Sequence, residues 1–382
     1  MTSGKKIFEH VPDPDRRSEP GSGGRPSRGQ ESRRDRRLVA WWLLIQVLLV
    51  IGTILIGGMT RLTDSGLSIT EWKPISGVIP PMTAEDWSQE FEKYKLIPEF
   101  ALQNASMSLA EFKSIYWWEW SHRMIARLLG VVWLAGFAWF LARGDFNRNW
   151  IIRSSQIGIL IIVQGVLGWW MVTSGLSGRN VDVAAYRLAI HSTLAFAILG
   201  LAAWSYWLAR MQPVELLQAT RRRNSRISRY SAAFVTIMLL QVFLGGLVAG
   251  LDAGRGYVDW PLMNGQFLPD ESFDYSPLWI NFFENAALTQ FNHRLTAYLI
   301  LGFSVFFWLR CRRTSMVSIR NWSAIVIVVV LCQALAGIVT LFGQASNHAA
   351  ILHQAGAVAT FLFITRLRLL AVFPPDDRIG GG

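Results

Sequence analysis

The sequence predicts an all-α polytopic membrane protein whose eight transmembrane helices form two pseudo-symmetric four-helix bundles. Hydrophobic residues fill 52% of the 382 positions and charged residues only 16%, and the apolar residues gather into stretches of about 20, the length of helix that crosses a bilayer core. Arginines crowd into alternate connections, as topology requires. Polar residues of the connections recur at a constant offset, so the chain states its pattern twice.

Residues 1–37 are rich in Pro, Gly, Ser and Arg and poor in apolar residues. They cannot bury enough surface to fold and are expected to form a disordered cytoplasmic tail. The tail leads directly into a full-length span, without the pattern of a cleavable leader. The first bundle is expected over 38–210, with spans at 38–60, 119–141, 152–173 and 187–209. A basic cytoplasmic linker at 211–229 connects it to a second bundle over 230–371, with spans at 230–250, 289–309, 322–342 and 350–371. Residues 372–382 form a second cytoplasmic tail.

The net charge of +11 raises nucleic acid as a partner, but its placement argues against one. Arg33, Arg34, Arg36 and Arg37 precede span one, and Arg143 and Arg148 follow span two. Arg221, Arg222, Arg223, Arg226 and Arg229 separate spans four and five, and Arg310, Arg312, Arg313 and Arg320 separate spans six and seven. In the opposite set, 251–288 sets Arg255 against Asp252, Asp259, Asp270, Glu271, Asp274 and Glu284, and 343–349 has no Lys or Arg. Both termini are therefore expected in the cytoplasm and the long loops outside.

The duplication can be followed residue by residue. Gly57, Gly58, Asp64, Gly66, Trp72 and Gly77 correspond to Gly245, Gly246, Asp252, Gly254, Trp260 and Gly265. Spans three and seven share a Gln followed four residues later by Gly, as Gln164 with Gly168 and Gln333 with Gly337. Both copies begin on the same side, so an axis along the membrane normal relates them.

The functional signal lies in the histidines. Of the six, His10 sits in the polar tail and His348 outside the pattern, while His122, His191, His293 and His353 open spans two, four, six and eight. All four should lie at one depth near the outer face. A lone interfacial histidine is tolerated for packing, but four at one depth, paired by repeat, point to ligands. One His pair per helical bundle suits a planar, axially liganded cofactor, and haem is the first candidate. Small residues below the histidines (Ala126, Gly130, Ala195, Gly356, Ala357, Thr360) would let a flat macrocycle approach, though such residues also serve helix packing. Arg123 and Arg294, each beside its histidine, suit haem propionates or lipid headgroups. Trp117, Trp118, Trp120, Trp169 and Trp170 read as an interfacial belt, with a porphyrin wall as the alternative.

The copies differ in one chemical respect. Glu119 lies three residues before His122, whereas Gln290 holds the matching place before His293, and this spacing puts each on its histidine's helix face. A carboxylate in one half marks that half as the reacting one, unless it simply pairs with Arg123. No GxGxxG, P-loop, HExxH or nucleophile elbow stands in a supporting context. Cys311 and Cys332 form no CxxCH motif and read as apolar core residues, so any haem is held noncovalently.

The eight spans, GluTrpSerHisArg at 119–123, HisSerThrLeuAla at 191–195, AsnHisArgLeuThrAla at 292–297 and LeuHisGlnAla at 352–355 together resemble the haem A synthase family, in its mitochondrial and alphaproteobacterial branch. The resemblance covers about 38–371 and includes the long first outer loop at 64–81. Other bacterial members carry a cysteine pair in that loop; this chain has none, so no thiol-dependent step carries over. The resemblance implies oxidation of the C8 methyl of haem O to the formyl group of haem A, the cofactor of cytochrome oxidase, through two hydroxylations and loss of water. It implies haem b on His293 and His353 in the second bundle, and His122 and His191 bracketing the substrate in the first. By analogy it also implies a bacterial inner membrane with lipid around the chain, haem sites near the periplasmic side, an electron donor, and a haem O synthase and oxidase assembly factors as partners. A di-haem b-type cytochrome needs the same ligands and stands as the alternative. A transporter built from parallel repeats fits less well, because the polar residues cluster at the outer edge and not at the midplane.

A reporter fused after Arg378 should read cytoplasmic and one inserted near Asp270 extracytoplasmic. The reversed pair would move all four histidines to the inner face.

Overall fold

A hydrocarbon exterior offers no partner to a backbone N–H or C=O, so each span must satisfy its own as a helix. The computed structural model, which describes residues 28–176 and 182–377, is helical almost throughout. Among the described residues the helices are α1 (Arg28–Leu62), α2 (Ala84–Tyr94), α3 (Pro98–Leu102), α4 (Leu109–Ala142), α5 (Arg148–Val172), α6 (Ala185–Ala209), α7 (Pro213–Arg222), α8 (Ser225–Gly250), α9 (Asn281–Glu284), α10 (Ala286–Cys311), α11 (Val317–Phe342) and α12 (Asn347–Val372). Eight of them, α1, α4, α5, α6, α8, α10, α11 and α12, are long and apolar enough to cross a membrane. Each falls on one expected span.

Three boundaries differ from the expectation. Residues 28–37, expected in the disordered tail, are helical and continuous with α1; once the apolar span nucleates a helix, extending it through Arg, Gln and Glu costs little. The rest of that tail, His10 included, lies outside the described residues. The linker expected at 211–229 contains α7, and α8 starts at Ser225 with the Asn224 side chain accepting from the Arg226 and Ile227 N–H groups. Helix α4 starts well before the expected 119. Ser108 caps it, its hydroxyl accepting from the Glu111 N–H while the Glu111 carboxylate accepts from the Ser108 N–H.

Helices α1, α6, α8 and α12 meet along the middle of the molecule; α4 and α5 flank the first two, α10 and α11 the last two. Small residues allow the central contacts. A Cβ on Gly246 or Gly250 would lie 2.6 Å from the Cα of Ala189 or Ala185, so α8 lies directly on α6. Phe196 of α6 meets Phe361 of α12 edge to face, with centroids 5.4 Å apart. Two polar ties add to this contact. Arg61 reaches both Asp64 and Asp252 at 2.8 Å, and Gln354 donates to the Ile54 carbonyl at 2.8 Å, over a Gly58 that leaves room for it.

The first long loop folds into a cap on the end of α4. Trp87, Phe91, Tyr94, Ile97, Phe112 and Tyr116 form its core, with Leu67 and Ile69 beneath. Glu99 is buried there, 3% exposed, accepting from the Tyr94 hydroxyl at 3.0 Å. Burial pushes its carboxyl up to about 8. The folded cap therefore holds a proton that the unfolded segment releases near 4.5, so its stability is full below that pH and falls as pH rises through about 8. Hydrogen exchange of residues 84–102, corrected for intrinsic rate, should show growing exposure over that window, and Glu99→Gln, which carries no charge, should flatten the profile. An equal pH response in Glu99→Gln would assign it elsewhere.

Candidate functional site

Each of the four expected histidines meets a glycine on the preceding spanning helix. A Cβ on Gly57, Gly168, Gly245 or Gly337 would lie 2.6, 3.1, 3.1 or 3.0 Å from Cε1 of His122, His191, His293 or His353, respectively. A methyl group at these distances would displace the ring, so glycine is what lets each imidazole sit against the neighbouring backbone. His122 and His191 lie within range of one another's charge, as do His293 and His353. The sequence pairing within each half is thus a spatial pairing.

Glutamines stand one helical turn before three of these glycines. Gln164 donates to the His191 carbonyl at 3.0 Å, Gln241 to that of His293 at 3.1 Å and Gln333 to that of His353 at 2.9 Å. The amides of Gln241 and Gln333 also lie 3.2 Å from Nδ1 of their histidines. Gln164 and Gln333 share a visible sequence motif, and the structure adds Gln241 as its equivalent. The shared spacing with a following glycine was the available signal. Gly356, expected on a flat face below His353, instead makes room for the Gln333 amide.

The arginines beside the histidines hold the loops. Arg123 donates to the carbonyls of Ile69 and Glu71, at 2.8 and 3.1 Å. Arg294 does the same to Tyr257 and Asp259, each at 2.9 Å, and to Leu262. Ile69 and Tyr257, and Glu71 and Asp259, are separated by the offset that relates Asp64 to Asp252, and those two aspartates share a left-handed backbone, with φ of 48° and 49°. The Nε of Arg294 is buried and has no partner. This donor remains for an anionic ligand group.

Glu119 is 3% exposed. One oxygen accepts from the Ser68 hydroxyl and the Ile69 N–H, each at 2.7 Å, and the other from Arg123 at 2.6 Å. The pairing with Arg123 is therefore present, and the carboxylate also fixes the loop. Gln290 occupies the matching place with a donor, bonding the Tyr257 carbonyl at 3.0 Å. The second half thus holds an amide at the matching position.

Trp117 and Trp120 pack in the cap, Trp117 against Trp87 and Trp120 against Trp117, while Trp170 carries Arg187 over its face at 4.4 Å. Both cysteines are free, with Cys311 buried and Cys332 exposed.

Two imidazoles in each half form a donor set for an ion whose remaining ligands come from elsewhere. Among the described residues no group of three or more His, Cys, Asp or Glu could hold a bare metal ion, whereas two axial imidazoles suffice for the iron of a macrocycle. The Nδ1 atoms of His122 and His191 are buried without partners, which fits rings that turn to meet a ligand. The residues present fit haem.

A family model described as COX15-CtaA, cytochrome oxidase assembly protein, matches residues 40–365. The chain is 45% identical to a protein named heme A synthase from Dinoroseobacter shibae, over 100% of this chain and 99% of that one. It is 45% identical to a namesake from Ruegeria pomeroyi, over 100% of both, and 44% identical to another from Paracoccus denitrificans, over 99% of this chain and 98% of that one.

Proposed function

The chain belongs to the COX15-CtaA family of cytochrome oxidase assembly proteins, and from that premise we propose that it is a haem A synthase. It oxidises the C8 methyl of haem O to a formyl group, giving haem A for cytochrome oxidase. The observation that carries the reading is a pair of glycine-backed imidazoles in each half, with a buried carboxylate beside only one of them.

His293 and His353 would hold haem b, which supplies one-electron chemistry near the reacting half. His122 and His191 would bracket the iron of haem O and so fix where its methyl group stands. Two successive hydroxylations of that methyl, each a two-electron oxidation that draws on an external oxidant, give a geminal diol, which loses water to the aldehyde. Glu119 belongs to the reacting half. Three donors already engage its oxygens, so it acts as a fixed negative charge that stabilises positive charge developing at the methyl carbon, in preference to shuttling protons. Arg123 and Arg294 keep the loops closed over the two sites, and Arg294 Nε is the donor suited to a propionate. A di-haem electron-transfer cytochrome would have no use for this difference between its halves.

The arginine distribution supports a topology with both termini in the cytoplasm of a bacterial cell and the haem sites near the periplasmic face. Haem O synthase, oxidase assembly factors and an electron donor are the partners this activity requires.

Glu119→Gln should keep the fold and haem b, because Gln290 occupies the equivalent place, yet lower haem A output by about 100-fold and accumulate haem O or its hydroxylated form. Gln290→Glu should leave product formation nearly unchanged. Chromatography of extracted haems reads both. Normal haem A from Glu119→Gln would reduce the carboxylate to a loop tie.

A further inference from the structure

In a duplicated frame, a residue present in one half and missing from the other is informative. His191 and His353 hold equivalent places, as do Gly168 and Gly337, but their neighbours toward the end of the bundle that carries the cap differ. Arg187 stands four residues before His191, where Ala349 precedes His353, and Trp170 stands two residues after Gly168, where Val339 follows Gly337. In the first half these two residues meet. The Arg187 guanidinium lies over the Trp170 indole at 4.4 Å, its Nη1 donates to the Trp170 carbonyl at 2.6 Å and its Nε to the Tyr186 hydroxyl at 3.2 Å. Nη2 makes no bond, and no carboxylate pairs with Arg187, among the described residues. Neighbouring guanidiniums are committed: Arg61 to Asp64 and Asp252, and Arg123 to Glu119 and two loop carbonyls. Arg187 is therefore a half-buried cation, fixed in place by α5, with a donor to spare.

Residues four apart share a helix face, about 5.4 Å apart along the axis, so Arg187 stands one turn from His191 toward the cap. A macrocycle between His122 and His191 turns its two propionates to that end, the one nearer water, because ionised carboxylates are not buried unpaired. A guanidinium already stacked on an indole loses little freedom when it takes a carboxylate. We propose that Arg187 binds a propionate of haem O and so sets the rotation of the macrocycle in the first-half site. The consequence for the reaction is chemical. The C8 methyl and one propionate are neighbours on the same pyrrole ring, so a grip on that propionate fixes where the methyl stands. Haem b needs only to be held, and the second half has Ala349 in this place. This role rests on the assignment of the N-terminal half to haem O.

The test uses the full-length protein, purified with haem b from membranes that make no haem O and titrated with haem O or with its propionate dimethyl ester, binding being read from the Soret absorption. Arg187→Gln should weaken haem O by about 10-fold while leaving the affinity for the ester and the haem b content unchanged. Arg187→Lys, which keeps the charge and loses the fork, should fall between. Equal affinity of wild type and Arg187→Gln for haem O would overturn the proposal; loss of a copurifying anionic phospholipid in that variant would then give the guanidinium to a lipid headgroup. An equal loss for acid and ester would overturn it too, as the mark of a purely structural role. If Arg187→Gln loses haem b and so fails to fold, Arg187→Lys decides by the same comparison: a loss for haem O that the ester does not share supports the proposal, and no difference between them overturns it. Haem O binding that survives both His122→Ala and His191→Ala would instead overturn the assignment of the first half.

Discussion

Everything about this molecule depends on a steric exchange: an imidazole enters the middle of a helical bundle only where the facing helix gives up its side chain. Four glycines make that concession, and each lies within about 3 Å, measured from the Cβ it lacks, of the ring it admits. A second glycine follows Gly57 and Gly245 directly, and it serves the contact between halves. Gly58 admits Gln354 from α12, and Gly246 lies on Ala189 and Ser192 of α6. Each Gly-Gly pair thus touches its own histidine on one side and, on the other, the residue that follows a histidine of the opposite half. A substitution at either pair would disturb both sites together.

The loops are the second layer of the design. A guanidinium beside each histidine binds the backbone carbonyls of its own loop, and charge-assisted bonds of this kind contribute about 1.5–3 kcal/mol each when partly buried. The loops are therefore anchored at the depth of the imidazoles. The chemical difference between the halves is laid on this shared frame, with Glu119 accepting from the loop where Gln290 donates to it.

Hydropathy, arginine placement and the histidine pattern made the eight spans and the four glycine-backed histidines legible, because these signals are local or repeat at a fixed offset. The loop ties were not legible. Arg123 and Arg294 bond backbone carbonyls far away in sequence, and a carbonyl acceptor leaves no mark on residue type, so their expected propionate role said nothing of the loops. The early start of α4 was written in the Ser108 and Glu111 capping pair, but the apolar span that begins later is the stronger signal. Gln241 shares its spacing to a following glycine with Gln164 and Gln333, whereas Thr53 breaks that pattern, so the motif is not uniform along the chain. The burial of Glu99 arises from tertiary packing of the cap alone.

The central claim is that one pair of imidazoles holds a permanent haem and the other an exchangeable one. Single His→Ala replacements at 122, 191, 293 and 353, each followed by extraction and chromatography of the bound pigments, test it most directly. Loss of haem O and haem A with retention of haem b is expected from the changes at 122 and 191, and loss of haem b from those at 293 and 353. Loss of haem b from the first pair with its retention in the second would contradict the account.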